Sequence, residues 1–388
     1  MKLGLLKDSK EGEYRTILTP IEVSTIIGDS HEVYVQAGAG ALAGFSDEKY
    51  IEKGAKILDT AEEIYAQCDL VTKVKEISPW EFPLLRENQI IFTCLHPASD
   101  PPEVEALIKS KCISFTAEDS HRYGSPNCEA AGKAGALKGL QYLETINGGK
   151  GKYVGGLAGA PSINVLIFGA GNVGKAALKA LESLGAKCTV FDINIATMRD
   201  IELSYGGRVD TMLPTKENIS KLLPTTDLVI NSVKWQKERT DHLIDRSMLG
   251  LMEKGSVIVD ISADEMGAIE TYRETTHENP TYEVDGIIHY GVSNIPSVIA
   301  NSTSQAYAAS VLNHFRNILN LGVKEACIRD GYLRRSMTTY KGKLTHEETS
   351  AIQNLPWITP EKVLGIESEI LDSAPPATST RSKNCLID

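Results

Sequence analysis

Gly169, Gly171 and Gly174 stand at G-x-G-x-x-G spacing. The apolar run Val165-Leu-Ile-Phe168 precedes them, and apolar residues at helical spacing follow from Lys175. A strand, a tight glycine turn and a helix in that order suit a dinucleotide. Gly169 permits the turn, Gly171 lets the backbone approach a pyrophosphate, and Gly174 lets helix and strand pack closely. The phosphates would sit on the first amides of the helix, at Asn172 and Val173, on the positive end of its dipole. A second apolar run, Cys188-Thr-Val-Phe191, ends at Asp192, roughly 20 residues on, where a carboxylate takes ribose hydroxyls. No arginine follows directly, and a carboxylate repels a 2′-phosphate, so NAD is expected rather than NADP. Two further apolar runs, 227–232 and 256–262, end in small polar residues. Ligands bind outside the carboxyl ends of strands in open α/β sheets, so Ser232, Val233 and Ile261 should face the cofactor.

Hydride chemistry on a small acid also needs a cation for the carboxylate and a proton carrier at the reacting carbon. Arg15, Lys73, Lys75 and His96 are the candidates in the first third of the chain, and Asp264 follows the 256–262 strand. Singly, each has a structural alternative. Arg15 can be a solvated loop charge, and one of Lys73 and Lys75 an edge-strand surface lysine. His96 can be a satisfied structural histidine, and Asp264 a cap for the following turn.

These residues need a scaffold. Apolar runs at 3–6, 33–36, 56–58, 70–74, 90–95 and 112–116 alternate with helical patterns, which implies a parallel sheet covered on both faces. A long Ala/Gly/Leu helix at 128–145 bridges into a second alternation, with strands at 165–171, 187–193, 208–213, 227–232 and 256–262. Another long helix, 302–320, returns to the first domain. The expected fold is α/β, with two Rossmann-like, doubly wound parallel-sheet domains and a cleft between them. The substrate domain would be 1–127 plus 303–372, the NAD-binding domain 128–302, and 373–388 a disordered tail.

The chain has 388 residues, 42% of them hydrophobic and 23% charged, with a net charge of −11. That balance is ordinary for a globular protein and argues against nucleic acid or an anionic membrane surface as partner. No apolar run reaches transmembrane length and the start lacks a signal-peptide core, so a cytoplasmic location is expected. The seven cysteines are odd in number and form no C-x-x-C pair, so they read as reduced thiols and no metal site is expected.

Taken together, the segments from Lys2 to about residue 350 resemble the alanine dehydrogenase and pyridine-nucleotide transhydrogenase family. The resemblance is carried by Arg15-Thr-Ile-Leu-Thr-Pro20, Gly44-Phe-Ser-Asp47, Lys73-Val-Lys-Glu76, Leu95-His96, Gly148-Gly-Lys-Gly151 and the glycine turn. Later segments that carry it are Gly255-Ser-Val-Ile-Val-Asp260, the 275–282 stretch, His289-Tyr290, Asn294-Ile-Pro296 and the 339–346 stretch. It implies that Arg15 and Lys75 hold the substrate carboxylate and carbonyl oxygen. It also implies that His96 is the acid/base, that Asp264 assists at water or ammonia, and that Asn294 lies near the nicotinamide. A homo-oligomer is implied as well.

Three segments depart from the alanine dehydrogenase pattern: Asn127-Cys128, the charged 232–239 loop, and Ser297-Val-Ile-Ala-Asn301. Stretches around Ala263–Glu270 and Pro296–Gln305 look more like N5-(carboxyethyl)ornithine synthases. The expected activity is oxidative deamination of an L-amino acid, alanine first, to its 2-oxo acid, pyruvate, and ammonium. An opine-type condensation of pyruvate with a second amino acid is the alternative. A non-catalytic NAD-binding protein is a third reading, disfavoured by the retained Arg15, Lys75, His96 and Asp264.

Overall fold

The computed structural model describes residues 1–235 and 239–375. The chain divides into two compact units: Met1–Pro126 with the segment from Ile299 onward, and Asn127–Val298. The first unit opens with strands β1 (Lys2–Leu5), β2 (Glu32–Gln36), β3 (Lys56–Leu58), β4 (Leu70–Thr72), β5 (Ile90–Thr93) and β6 (Ile113–Thr116). Every residue of β4, β5 and β6 is buried, as expected of strands covered on both faces. The second unit carries β7 (Asn164–Phe168), β8 (Lys187–Phe191), β9 (Asp210–Met212), β10 (Leu228–Asn231), β11 (Val257–Asp260), β12 (Thr281–Val284) and β13 (Ile287–Tyr290). The chain then adds β14 (Met337–Tyr340) and β15 (Lys343–Leu344) to the first sheet.

The first sheet runs β15-β14-β6-β5-β4-β1-β2-β3 and the second β12-β13-β11-β10-β7-β8-β9. Both therefore contain the doubly wound order 3-2-1-4-5, with a switch point between the first and fourth strands. Neither sheet is wholly parallel, as the apolar runs alone suggested. β14 and β15 join the first sheet antiparallel, and β12 lies antiparallel to β13. The hairpins turn at Asp285-Gly286 and Lys341-Gly342, and all four residues have positive φ. That is the signature of a two-residue turn matched to strand twist.

Most of the observed strands end before the apolar runs do, because the last residues of those runs already belong to loops; β2, β3 and β6 end where the runs end. The bridging helix spans Pro126–Tyr142. Its glycines lie on one face, where a Cβ at Gly132 would come within 2.1 Å of the Val173 carbonyl oxygen. The returning helix is longer than expected, Ala300–Arg329, and breaks at Gly322. The first core gathers Leu3, Leu5, Phe92 and Phe115 from the sheet with Tyr307 and Phe315 from that helix. In the second unit, Val165, Ile167, Val190, Ile230 and Val259 pack against Ala177, Leu178 and Leu181. No helix among the described residues is long and apolar enough to cross a membrane.

Residues 73–78, just past β4, have no partner strand, and buried acids hold them instead. Asp8 Oδ2 accepts the Lys75 amide at 2.7 Å, Glu103 Oε1 the Ile77 amide at 2.6 Å, and Glu81 Oε2 the Ser78 amide at 2.7 Å. Glu81 also pairs with Lys73, and both side chains are buried. Lys73 is thus a structural cation inside the fold rather than an edge-strand surface charge.

Glu103 gives this scaffold a pH signature. Burial pushes its carboxyl up to about 9 from an ordinary 4.5. Between those values the folded chain holds a proton that the unfolded chain has released, so this group's contribution to stability falls as pH rises. Glu103→Gln keeps the acceptor for Ile77 and removes the titration. Its melting temperature should therefore gain on the wild type by at least about 2 °C between pH 5 and pH 8.5, the shift produced by roughly 1 kcal/mol in a domain of this size. Parallel melting curves across that range would contradict the assignment.

Candidate active site

The first unit places four functional side chains just beyond the carboxyl ends of four adjacent strands. Arg15 comes from the loop after β1, Lys75 from the segment after β4, His96 from the loop after β5, and Glu118 from the turn after β6. Arg15 is no solvated loop charge, since its side chain is 3% exposed. Its Nε donates to Glu13 Oε1 at 2.7 Å and its Nη2 to Glu13 Oε2 at 2.5 Å. Burial alone would raise the Glu13 carboxyl, but the Arg15 guanidinium overrides burial and holds it below the ordinary carboxylate value. The next amide, Thr16, donates to Ser304 Oγ at 2.9 Å and ties this loop to the returning helix.

Lys75 is half-buried, unlike Lys73. Its amide is fixed by Asp8, and its carbonyl accepts from Thr93 Oγ1 at 2.5 Å. Burial raises Asp8 above the ordinary range against the pull of Lys73. Beside Lys75, Glu76 takes Lys10 Nζ at 3.3 Å. Burial would raise its carboxyl, yet the charges of Lys75, His96 and Lys10 bring it below its ordinary value.

His96 is not a core histidine, because its side chain is 47% exposed. Its backbone is left-handed, with φ +48, a conformation that costs a β-carbon residue on the order of 1 kcal/mol unless the surroundings enforce it. Glu118 enforces it. Oε1 of Glu118 accepts the His96 amide at 2.8 Å and lies 3.3 Å from its Nδ1. A carboxylate at Nδ1 calls for a proton there, which leaves Nε2 as the nitrogen for chemistry. Glu76 Oε1 lies 4.0 Å from Nε2.

The second unit gathers the nucleotide candidates at its own switch point. Gly169 has φ +90, and a Cβ on Gly174 would come within 1.8 Å of the Gly169 carbonyl oxygen. A Cβ on Gly171 would meet nothing within 4 Å, so the backbone there is open to a ligand. Gly171 caps the helix Asn172–Ser183 without a side-chain hydrogen bond, and Asn172 is exposed. The amides of Asn172 and Val173 therefore have no partner within the helix. This cradle suits a pyrophosphate. Asp192, at the end of β8, leans over it: Oδ2 accepts the Ala170 amide at 2.6 Å and Oδ1 the Asn194 amide at 2.8 Å. Ser232 Oγ donates to the Phe168 carbonyl at 2.7 Å, which ties the end of β10 to the glycine turn.

Ile261 packs against the bridging helix, where a Cβ on Gly135 would lie 2.6 Å from its Cδ1. Asp264 Oδ2 accepts the Trp235 amide at 3.1 Å, so it holds the 232–235 loop. The Asn294 carbonyl lies 3.2 Å from His277 Nε2. Part of the charged 232–239 loop, residues 236–238, lies outside the described residues, as does the tail beyond 375. The described cysteines are all free thiols.

Sequence reasoning missed the acids that hold these groups: Asp8, Glu13, Glu81, Glu103, Glu118 and Asp260. They are a few among 51 acidic residues, and only position marks them out. Glu118 follows the 112–116 apolar run by two residues, and the strand-end rule that selected His96 selects it equally.

Two family models cover most of the chain: the alanine dehydrogenase/PNT N-terminal domain over residues 4–125 and the C-terminal domain over 135–347. The alanine dehydrogenase of Methanococcus maripaludis is 37% identical over 94% of this chain and all of its own length. That of Mycolicibacterium smegmatis is 33% identical over 92% of this chain and 98% of its own. Among solved structures, an L-alanine dehydrogenase superposes with a TM-score of 0.85 at 32% identity, covering 91% of this chain and 99% of that one. A transhydrogenase from Sinorhizobium meliloti, at 21% identity and TM-score 0.72 over 89% of this chain and 99% of its own, shares the fold. The chain belongs to the alanine dehydrogenase and pyridine-nucleotide transhydrogenase family, as an oxidoreductase acting on CH–NH2 groups.

Proposed function

We propose that the protein is an NAD-dependent L-amino-acid dehydrogenase that interconverts alanine with pyruvate and ammonium. The observation that carries this reading is His96, half-exposed, with Nδ1 held by Glu118 and Nε2 turned toward the loop of Lys75 and Glu76. An imidazole so oriented is an acid/base catalyst, and the neighbouring strands supply cations for a carboxylate. Family membership supports the CH–NH2 chemistry; the full-length relatives named alanine dehydrogenases support the substrate.

In the aminating direction Arg15 and Lys75 hold the pyruvate carboxylate and carbonyl oxygen. Glu13 takes Nε and Nη2 of Arg15, which fixes the orientation of the guanidinium. Ammonia adds to C2, and His96 Nε2 donates the proton with which the former carbonyl oxygen leaves as water. Glu118 keeps the remaining ring proton on Nδ1 and stabilises the imidazolium between steps. Asp264 assists at the ammonia or water position. NAD, held by the residues of the second unit, would supply the hydride for the imine carbon, or take it up in reverse. Gly169, Gly171, Asn172, Val173 and Gly174 hold its pyrophosphate, Asp192 the adenosine ribose, and Ser232, Val233, Ile261 and Asn294 the nicotinamide end.

Purified protein given NADH, pyruvate and ammonium should oxidise NADH without any other amine. A requirement for ornithine or lysine in place of ammonium would move the activity to opine synthesis, and silence with every amine would sink the alanine assignment. His96→Ala should lower kcat by about 10²–10⁴-fold, the usual worth of a positioned proton carrier, while NADH still quenches or gains fluorescence with unchanged affinity. A variant that keeps its turnover would remove His96 from the mechanism. Asp192→Ala should raise the Kd for NADH by about tenfold, equivalent to roughly 1.4 kcal/mol; unaltered NADH binding would refute the ribose role and the preference for NAD built on it.

A further inference from the structure

Asn231 and Asp260 end the central strands β10 and β11 and lie opposite each other in the parallel ladder. Both are fully buried. Each begins the loop that carries a candidate residue, and each side chain grips its own loop. Asn231 Oδ1 accepts the Val233 amide at 3.2 Å. Asp260 Oδ1 accepts the Ser262 amide at 3.0 Å and the Ala263 amide at 3.3 Å. The two side chains are joined by Asn231 Nδ2 donating to the same Asp260 Oδ1 at 3.0 Å. Further out, the loops are joined again where Trp235 donates to Asp264. Ala263, between the two ties, is left-handed at φ +56, a strained position for a residue with a β-carbon.

Among the described residues, Asp260 Oδ2 is buried without a hydrogen-bond partner. A buried carboxyl with an orphaned oxygen costs stability, and no packing need explains an acid there. We infer that Asp260, buckled to Asn231, is a positioning residue for Asp264, fixing through its loop amides where that carboxylate stands. This inference rests on the role of Asp264 in the reading above. Burial pushes the Asp260 carboxyl up to about 7, with the Asp264 charge adding to the rise and Asn231 and the loop amides opposing it. Tyr272 and Tyr282 are the other titratable groups coupled to it, both held neutral by burial. An ionised carboxylate grips amides more strongly than a neutral one, so the buckle tightens as pH rises through the neutral range.

Asp260→Asn keeps the shape and the Oδ1 acceptor but fixes the neutral state. Wild type and variant should therefore have nearly equal kcat at pH 6, where Asp260 is itself protonated. Their ratio should grow to about 5-fold at pH 8.5, the equivalent of roughly 1 kcal/mol. The ratio cancels the titration of every other group, and a merely structural role leaves it flat. In the cofactor-free protein, amide hydrogen exchange of the peptide spanning 261–267 should be faster in the variant at pH 8.5 and equal at pH 6 after correction for intrinsic rates. Should Asp260→Asn fail to fold, Asn231→Ala, which removes the donor to Oδ1, should speed the same exchange and lower kcat. A pH-independent ratio, or unchanged exchange, overturns the inference. Asp264→Asn is the control. If it remains active, the role of Asp264 has failed; if it is inactive while Asp260→Asn behaves as wild type, the buckle alone has failed.

Discussion

A parallel strand that ends at a ligand site leaves its outgoing loop with amides and no ladder to receive them, and buried amides must find acceptors. This protein meets that constraint with carboxylates. In the first unit Asp8, Glu103, Glu81 and Glu118 accept the amides of Lys75, Ile77, Ser78 and His96. In the second, Asp192 and Asp260 accept those of Ala170, Asn194, Ser262 and Ala263. These bonds act beside apolar packing that continues past the strand ends, at Val74, Ile77 and Leu95.

Using acids for this task sets the electrostatics of the site. Each buried carboxylate must be paired or neutral. Glu13 is paired with Arg15 and Glu81 with Lys73, so these two cations cost little to bury. Asp8, Glu103 and Asp260 are instead pushed upward by burial. Glu118 does two jobs with one oxygen, holding both the strained amide and the ring nitrogen of His96. In a chain of net charge −11, Arg15 and Lys73 are thus each buried beside one of these acids.

The scaffold was readable where one residue type does one job. Apolar runs marked the strands because parallel strands are buried on both faces, and the glycine turn was visible because only glycine tolerates φ +90 at Gly169 and the contact at Gly174. The antiparallel edges escaped because their strands are partly polar, although Asp285-Gly286 and Lys341-Gly342 carried the turn signal. His96, Arg15 and Lys75 were found by type and by family pattern. Their exposure and pairing were not, because a sequence does not show which acid among many folds back onto which amide. Lys73 and Lys75 illustrate the limit: two residues apart in one apolar run, one is locked to Glu81 in the interior and the other stands half-buried at the strand end.

Of the three departures from the alanine dehydrogenase pattern, the 232–239 loop is itself acid-held, since the Trp235 amide donates to Asp264. Asn301 begins the returning helix and donates to the Ala43 carbonyl, while Ser297 is buried in the turn before it. Asn127 and Cys128 lie in the first turn of the bridging helix. The candidate Asp264 is therefore tied to a segment that differs from the family pattern, whereas the amides of Lys75 and His96 are held by Asp8 and Glu118.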